Sequence, residues 1–217
     1  MKTNLLIAFV IIIVLAFAFE IQQKQIKGKI VCFGDSITYG ASYEGNGWPE
    51  QLDKMSDSIS VINAGRKGRK TSDKNELLPV IEANKDADYF LFLLGVNDLK
   101  DGNDSLVNCC IVNMKWMIEK VKDEIPNARI VLMAPSRINL EEMAELNREK
   151  KYNENTFNSL IKLEERYKKL AKEESVEFVS LFDIVSPRNL FDGIHPNIEG
   201  YSEITKKIWS ELNRIYQ

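Results

Sequence analysis

The sequence is poor in cysteine. Its 217 residues include three, Cys32, Cys109 and Cys110, and no cysteine or histidine occurs at metal-ligand spacing. Three cysteines are too few for the disulfide scaffold of a small secreted protein. We expect buried thiols, while a disulfide between Cys109 and Cys110, or one that includes Cys32, stays open for an exported protein.

A strong charge of one sign is also lacking. Lysine and arginine total 29 against 32 acidic residues, so the net charge is −3 at pH 7. This balance gives no overall electrostatic case for binding nucleic acid. We find no internal repeat and no low-complexity tract. With 44% hydrophobic and 28% charged residues, the composition suits one globular domain with a sizeable core.

One long hydrophobic run is present, from Leu5 to Phe19, and it follows Lys2. Its fifteen residues would span about 22 Å as a helix, short of the ~30 Å hydrocarbon core of a bilayer. Ala16-Phe17-Ala18 supplies a small-x-small cleavage pattern. Residues 1–19 are therefore typical of a secretory signal peptide, with a retained N-terminal membrane anchor as the alternative.

Both interpretations of the N-terminus place the folded domain outside the cytoplasm. The protein would be secreted or periplasmic, or tethered to the outer face of the membrane through residues 5–19. Residues 20–28 form a short polar linker, and residues 29–217 form the domain. The oligomeric state cannot be read from these patterns.

Apolar segments alternate with helical patterns along the domain. Strands are predicted at 30–33, 59–62, 88–94, 128–133 and 176–181. Helices are predicted at 48–55, 72–83, 106–121, 140–173 with a break near Tyr152–Asn153, and 198–215. This alternation predicts a three-layer α/β/α sandwich around a five-stranded parallel sheet. The order of the strands is not readable from the sequence.

Ser36 follows the first predicted strand. Gly34 and Asp35 break the apolar run and place Ser36 just past its carboxyl end, the edge of an open α/β sheet where ligands bind. A serine at this edge is a candidate nucleophile. The structural alternative is that Ser36 caps the helix that follows the strand.

Polar residues beside glycine also end two further strands. These are Asn63 to Gly68 and Asn97, which a parallel sheet would bring to the same edge as Ser36. His195 is the single histidine of the chain, so any imidazole base must be this one. It lies in a Gly/Pro loop with Asp192 three residues earlier, close enough in sequence for the carboxylate to meet the ring.

Four sequence blocks together resemble the SGNH (GDSL-type) hydrolase family. They are Gly34-Asp35-Ser36-Ile37-Thr38, Asn63 with Gly68, Gly95-Val96-Asn97-Asp98, and Asp192-Gly193-Ile194-His195-Pro196. Trp48-Pro49 and the last helix are also similar, so the resemblance spans essentially the whole domain. It implies a flavodoxin-like α/β/α sandwich and a serine-dependent esterase or lipase-like activity.

The resemblance also implies roles for particular residues. Ser36 matches the nucleophile, His195 the general base and Asp192 the acid that orients the histidine. The backbone N–H groups of Ser36 and Gly68 and the side-chain amide of Asn97 match the oxyanion hole. Gly68 is preferred to Gly65 because the family places this glycine five residues after the asparagine. No cofactor and no metal are implied.

Several features depart from the pattern or compete with it. The loop at 65–71 is unusually basic, which indicates a preference for acidic substrates or an anionic surface or, more simply, solvated loop charge. It lacks the glycine that a phosphate-binding loop places directly before its lysine, and the G-x-S-x-G elbow of α/β-hydrolases is absent. Asp35 and Asp98 are expected to hydrogen-bond loop backbone rather than act as catalytic carboxylates.

Three functions fit these residues. The first is an exported esterase acting on a short-acyl ester, an acetylated carbohydrate, a lysophospholipid or a thioester. The second is an acyltransferase with the same triad, because fold and triad do not fix the acceptor. The third is a non-catalytic ligand-binding domain, against which the presence of every reactive residue argues.

Overall fold

Five strands form a single parallel sheet in the computed structural model, which describes residues 26–216. The strands are β1 (Gly28–Gly34), β2 (Ile59–Gly65), β3 (Tyr89–Leu93), β4 (Arg129–Ala134) and β5 (Glu177–Ser180). They are ordered β2-β1-β3-β4-β5, and every neighbouring pair is parallel. This is the flavodoxin-like order. The predicted five-stranded parallel sheet is confirmed.

The burial of the strands follows their place in the sheet. All five residues of β3 are buried, and so are five of the six in β4. A parallel strand covered on both faces must be apolar throughout, which explains the continuous apolar runs of the sequence. The outer strands β2 and β5 are mostly half-buried or exposed.

Residues 26–216 contain seven α-helices, six between the strands and one after β5. They are α1 (Ser36–Tyr39), α2 (Trp48–Asp53), α3 (Leu77–Glu82), α4 (Asp104–Glu124), α5 (Glu145–Glu149), α6 (Glu154–Glu173) and α7 (Ile198–Tyr216). The chain runs one way across the sheet from β1 to β2 and the other way from β3 to β5. Right-handed crossovers therefore place helices on both faces, with α2 packed on α7 and α4 packed on α6.

Two predicted helices are shorter than expected. Only the second half of 72–83 is α-helical, because Thr71–Glu76 forms a 3₁₀ helix. Residues 140–144 are irregular, and the backbone N–H of Ala144 bonds to the carbonyl of Asp192 instead of continuing a helix. The predicted break near Tyr152–Asn153 is confirmed: Asn153 caps α6 by accepting from the N–H of Thr156.

The folded domain begins before the predicted boundary. Ile26 is fully buried and β1 starts at Gly28, so residues 26–28 of the predicted linker belong to the fold. The predicted signal peptide or anchor, residues 1–19, and linker residues 20–25 lie outside the described residues. No helix within residues 26–216 combines the length and hydropathy needed to cross a bilayer.

The cysteines are free thiols. Cys32 and Cys110 are buried, as expected, whereas Cys109 is exposed on α4, so the expectation of buried thiols is wrong for this residue. Its position explains the difference, since the buried face of the helix carries Cys110, Met114 and Met117.

The central strand offers a direct test of the core. Leu91 is fully buried in β3, whereas Leu146 on α5 is 60% exposed. We expect Leu91→Ala to lower the free energy of unfolding by about 2–5 kcal/mol, because it leaves a cavity. The chemically identical control Leu146→Ala should change it by less than about 0.5 kcal/mol. Equal effects in urea unfolding would contradict the assigned core.

Candidate active site

Ser36 is presented by a sharp turn at the end of β1. The strand ends at Gly34, where a Cβ would lie only 2.0 Å from Thr38 Oγ1, so the turn requires glycine. The cap of α1 is Asp35, whose Oδ1 accepts from the N–H of Ile37 at 2.9 Å. The capping role considered for Ser36 is therefore wrong, and the Ser36 hydroxyl is available for another partner.

That partner is His195. Ser36 Oγ lies 2.9 Å from His195 Nε2, across 159 residues of sequence. On the other side of the ring, His195 Nδ1 lies 2.7 Å from Asp192 Oδ2. The side chains of Asp192 and His195 are 20% and 21% exposed, so the pair is shielded yet reachable from solvent. The structure thus brings the three predicted catalytic residues into one hydrogen-bonded chain.

The loop that carries the histidine is tightly folded. Asp192 Oδ1 accepts from the backbone N–H of both Ile194 and His195, at 3.0 and 2.8 Å. Partial burial raises the pKa of the Asp192 carboxyl, but the hydrogen bonds and charge of His195 outweigh it and hold the pKa well below its usual range. Asp192 therefore stays ionised beside the ring.

Asn97 lies just past the end of β3 and is buried. Its Oδ1 accepts from the Tyr152 hydroxyl at 2.8 Å, and its Nδ2 is 3.2 Å from the carbonyl of Arg69 and 3.4 Å from Asp35 Oδ2. The sequence did not predict the contact between Tyr152 and Asn97, since the residues around Tyr152 indicated only a break between helices. Hydrogen bonds therefore hold the Asn97 amide at both its oxygen and its nitrogen, next to the turn that carries Ser36.

Gly68 sits at an exposed turn in the loop between β2 and the 3₁₀ helix. Its φ of +75° lies in the left-handed region that favours glycine. A Cβ there would meet no atom within 4 Å, so the space beside it is open. Among residues 26–216, no hydrogen bond uses the backbone N–H groups of Gly68 or Ser36. Gly65, the less favoured alternative, lies within β2 against the backbone of Tyr39.

The basic loop owes its shape to Arg69. This guanidinium is buried and donates to the carbonyls of Gly34 and Ala64, both at 2.6 Å. It also pairs with Glu76 at 3.0 Å and lies 4.1 Å from the centroid of the Phe33 ring. Nothing in the sequence indicates this role, because Arg69 is one of several cations in the same loop.

Two other cations of the loop have carboxylate partners. Arg66 pairs with Asp73 and Glu76, and Lys67 pairs with Glu44, each at 2.7 Å. This leaves Lys70 as the loop cation without an ion pair among the described residues. The loop charge is therefore largely neutralised by the protein itself.

Asp35, which is buried, and Asp98, which is half-buried, hydrogen-bond groups near Ser36 and Asn97, as predicted. Asp98 accepts from the backbone N–H and hydroxyl of Thr71, and burial raises its pKa. Burial also raises the pKa of Asp35 to about 6, an effect that the N–H of Ile37 partly opposes. Both carboxyls bind loop groups rather than Ser36 or His195.

Because the pKa of Asp35 is raised, we expect the free energy of unfolding to depend on pH. The folded protein holds this proton up to about pH 6, whereas the unfolded chain releases it near ~3.9, so the contribution of Asp35 to stability falls as the pH rises between these values. Asp35→Asn removes the titration. We expect the stability of the variant relative to wild type to rise by about 2–3 kcal/mol between pH 4 and pH 7. Urea unfolding at both pH values measures this, and an unchanged difference would contradict it.

Comparison with known proteins identifies the family of the chain. The model of the GDSL-like lipase/acylhydrolase family matches residues 32–202. A search of the curated proteins finds no match.

Three solved structures share the fold. A carbohydrate acetylesterase family member from Sinorhizobium meliloti superposes with a TM-score of 0.75 at 20% identity, over 88% of this chain and 99% of that one. The native aryl esterase of M. smegmatis gives 0.74 at 19% identity, over 86% and 99%. A catalytic mutant of an acetylxylan esterase from Geobacillus stearothermophilus gives 0.68 at 17% identity, over 88% and 96%.

At these identities the structural matches show the fold. The family model covers most of the chain, including the sequence blocks that carry Ser36, Asn97 and His195. The chain therefore belongs to the GDSL-like lipase/acylhydrolase (SGNH) family and is a hydrolase that acts on ester bonds.

Proposed function

We propose that this protein is an exported serine esterase that cleaves carboxylic esters through an acyl-enzyme on Ser36. The observation that carries the proposal is the chain of two short contacts, Ser36 Oγ to His195 Nε2 at 2.9 Å and His195 Nδ1 to Asp192 Oδ2 at 2.7 Å. Nucleophile, base and orienting acid are each within hydrogen-bond reach of the next.

The first half of the reaction forms the acyl-enzyme. Ser36 Oγ attacks the ester carbonyl carbon while His195 Nε2 takes the hydroxyl proton, and the resulting imidazolium is stabilised by ionised Asp192. Collapse of the tetrahedral intermediate breaks the bond to the alcohol oxygen, which receives the proton from His195. In the second half, water attacks the acyl carbon and gives a proton to His195. Collapse of this intermediate breaks the bond to Ser36 Oγ, which takes the proton back from His195 as the carboxylic acid leaves.

Negative charge on the carbonyl oxygen would be stabilised by three N–H donors: the backbone of Ser36, the backbone of Gly68 and Nδ2 of Asn97. The two backbone groups are not engaged elsewhere among the described residues. Nδ2 of Asn97 carries two hydrogens. The Arg69 carbonyl holds one, and the long 3.4 Å contact to Asp35 is weak enough to be exchanged for an oxyanion.

For the substrate, we propose short-acyl esters and acetylated carbohydrates first. The structural neighbours named above include a carbohydrate acetylesterase and an acetylxylan esterase. An aromatic surface adjoins the histidine, since Phe191 is 47% exposed and stacks on the His195 ring with centroids 6.1 Å apart. Such a surface can support an acyl group or a sugar ring. Lysophospholipids and thioesters are further substrates to test.

Export is proposed from the N-terminal sequence, where Lys2 precedes the apolar run and a small-x-small pattern closes it. Residues 1–19 would act as a signal peptide or as a tether to the outer face of the membrane. An acyltransferase would use the same residues and replace water by an alcohol or sugar, so product analysis with added acceptor distinguishes the two activities.

Ser36→Ala tests the nucleophile. We expect a loss of at least ~10³-fold in kcat on p-nitrophenyl acetate, because no other side chain can form the acyl-enzyme. Ser60→Ala, on the exposed face of β2, is the matched control and should keep full activity.

A panel from acetyl to long-chain esters, with acetylated sugars and lysophospholipid, assigns the substrate. Activity retained by Ser36→Ala would overturn the mechanism, and a wild-type protein inert on the whole panel would favour a binding domain.

Asn97→Ala tests the oxyanion hole. We expect a fall in kcat of about 10²–10³-fold with a smaller change in KM, because the lost donor acts on charge that develops in the transition state. Asn127→Ala is the control, because this asparagine is exposed in the loop between α4 and β4. It should leave kcat and KM unchanged. A kcat equal to that of wild type would remove Asn97 from the machinery.

Treatment with EDTA tests the expectation that no metal takes part. None of the described residues form a group of three or more metal-ligating side chains. We expect unchanged turnover of p-nitrophenyl acetate after chelation and dialysis. Activity that is lost and then restored by a divalent cation would require a different mechanism.

A further inference from the structure

We propose that Tyr152 is a positioning residue that orients Asn97 and strengthens it as an oxyanion donor; this inference rests on the proposed esterase function. The Tyr152 hydroxyl donates to Asn97 Oδ1 at 2.8 Å, and both groups are buried. The residue stands 55 positions from Asn97, in the connection between α5 and α6, and belongs to none of the sequence blocks that carry the triad.

The contact fixes which end of the amide faces the reacting carbonyl. On one side Asn97 meets a donor, the Tyr152 hydroxyl, and on the other it meets acceptors, the Arg69 carbonyl and Asp35. A flipped amide would aim its oxygen at those acceptors and at the developing oxyanion, which would be repulsive. Without the tyrosine hydroxyl, Oδ1 would be a buried acceptor with no partner, and the amide would lose half of its restraint.

Tyr152 is suited to act as a permanent donor. Burial raises the pKa of its hydroxyl, and the nearby carboxylates of Asp35, Asp192 and Asp98 raise it further, so the group keeps its proton. A hydrogen bond to the oxygen of an amide polarises it and makes its N–H groups stronger donors. The effect reaches Nδ2, the atom proposed to meet the oxyanion.

The backbone around Tyr152 also contacts the histidine loop. The N–H of Tyr152 bonds to the carbonyl of Asn147 at 3.1 Å, and Nδ2 of Asn147 bonds to the carbonyl of Asp192 at 3.0 Å. Ala144 N–H bonds to the same Asp192 carbonyl. The connection from Ala144 to Tyr152 therefore contacts both the backbone of Asp192 and the side chain of the oxyanion donor.

Tyr152→Phe isolates the hydroxyl because it keeps the ring in place. We expect kcat on p-nitrophenyl acetate to fall about 10-fold while KM changes by less than about twofold, since one buried hydrogen bond is lost from a group that acts in the transition state. Tyr167→Phe is the matched control: it removes another buried hydroxyl, bonded to the Leu94 carbonyl at 3.3 Å, and should leave kcat unchanged.

A double-mutant cycle separates positioning from general support of the fold. In the Asn97→Ala background, Tyr152→Phe should lower kcat by less than about twofold, because the group that it positions is gone. A full 10-fold loss in that background, or no loss in the wild-type background, overturns the inference. Thermal unfolding of each variant confirms that the compared proteins are folded.

The same series keeps this inference distinct from the proposed function. If Ser36→Ala is inactive and Tyr152→Phe equals wild type, the esterase mechanism stands and the role of Tyr152 is refuted. If Ser36→Ala retains activity, the mechanism fails first, and the inference fails with it.

Discussion

The site depends on the parallel alignment of β2, β1 and β3, which ends three strands at one edge in that order. The strand that leads to Ser36 lies between the strands that lead to Gly68 and Asn97. The candidate nucleophile is thereby flanked by the two loops that carry the candidate oxyanion donors, and side chains from elsewhere in the chain then fix the position of those loops. The hydrogen bonds between parallel strands hold the strand ends rigidly in place. Rigid placement favours catalysis, because small displacements of the reacting groups lower the rate strongly.

Arg69 holds the loop that follows β2 at that edge of the sheet. The loop after β2 is basic and mostly exposed, but the guanidinium of Arg69 is buried. It donates to the carbonyls of Gly34 and Ala64, which lie near the ends of β1 and β2, and so fixes the loop to both strands. Burial disfavours the charge and lowers the Arg69 pKa, which the hydrogen bond and charge of Glu76 partly oppose. A buried charge is tolerated when its hydrogen-bond donors have partners, and here those partners hold the loop against β1 and β2.

A second polar cluster surrounds Asn97 and contains Asp35, Tyr152 and the Arg69 carbonyl. Buried polar groups of this kind stabilise the structure when fully satisfied and are costly when one member is removed. The cluster contains both acceptors and a donor, and their arrangement selects one orientation of the Asn97 amide. The network therefore links the strand-end loops to the connection between α5 and α6, and through Asn147 to the loop of Asp192 and His195.

The sequence by itself determined the fold class and the short-range chemistry. Apolar strands that alternate with helical patterns predict a covered parallel sheet, and the spacing of Asp192 and His195 predicts their contact, because both are local properties. Only the tertiary structure decided which strands are neighbours, that Asp35 rather than Ser36 caps α1, and that Arg69 is buried. It alone joined Tyr152 to Asn97. The contact between Ser36 and His195, 159 residues apart, was implied by the family resemblance and is confirmed by the structure. These contacts depend on how separate elements pack, and packing leaves no periodic trace in the sequence.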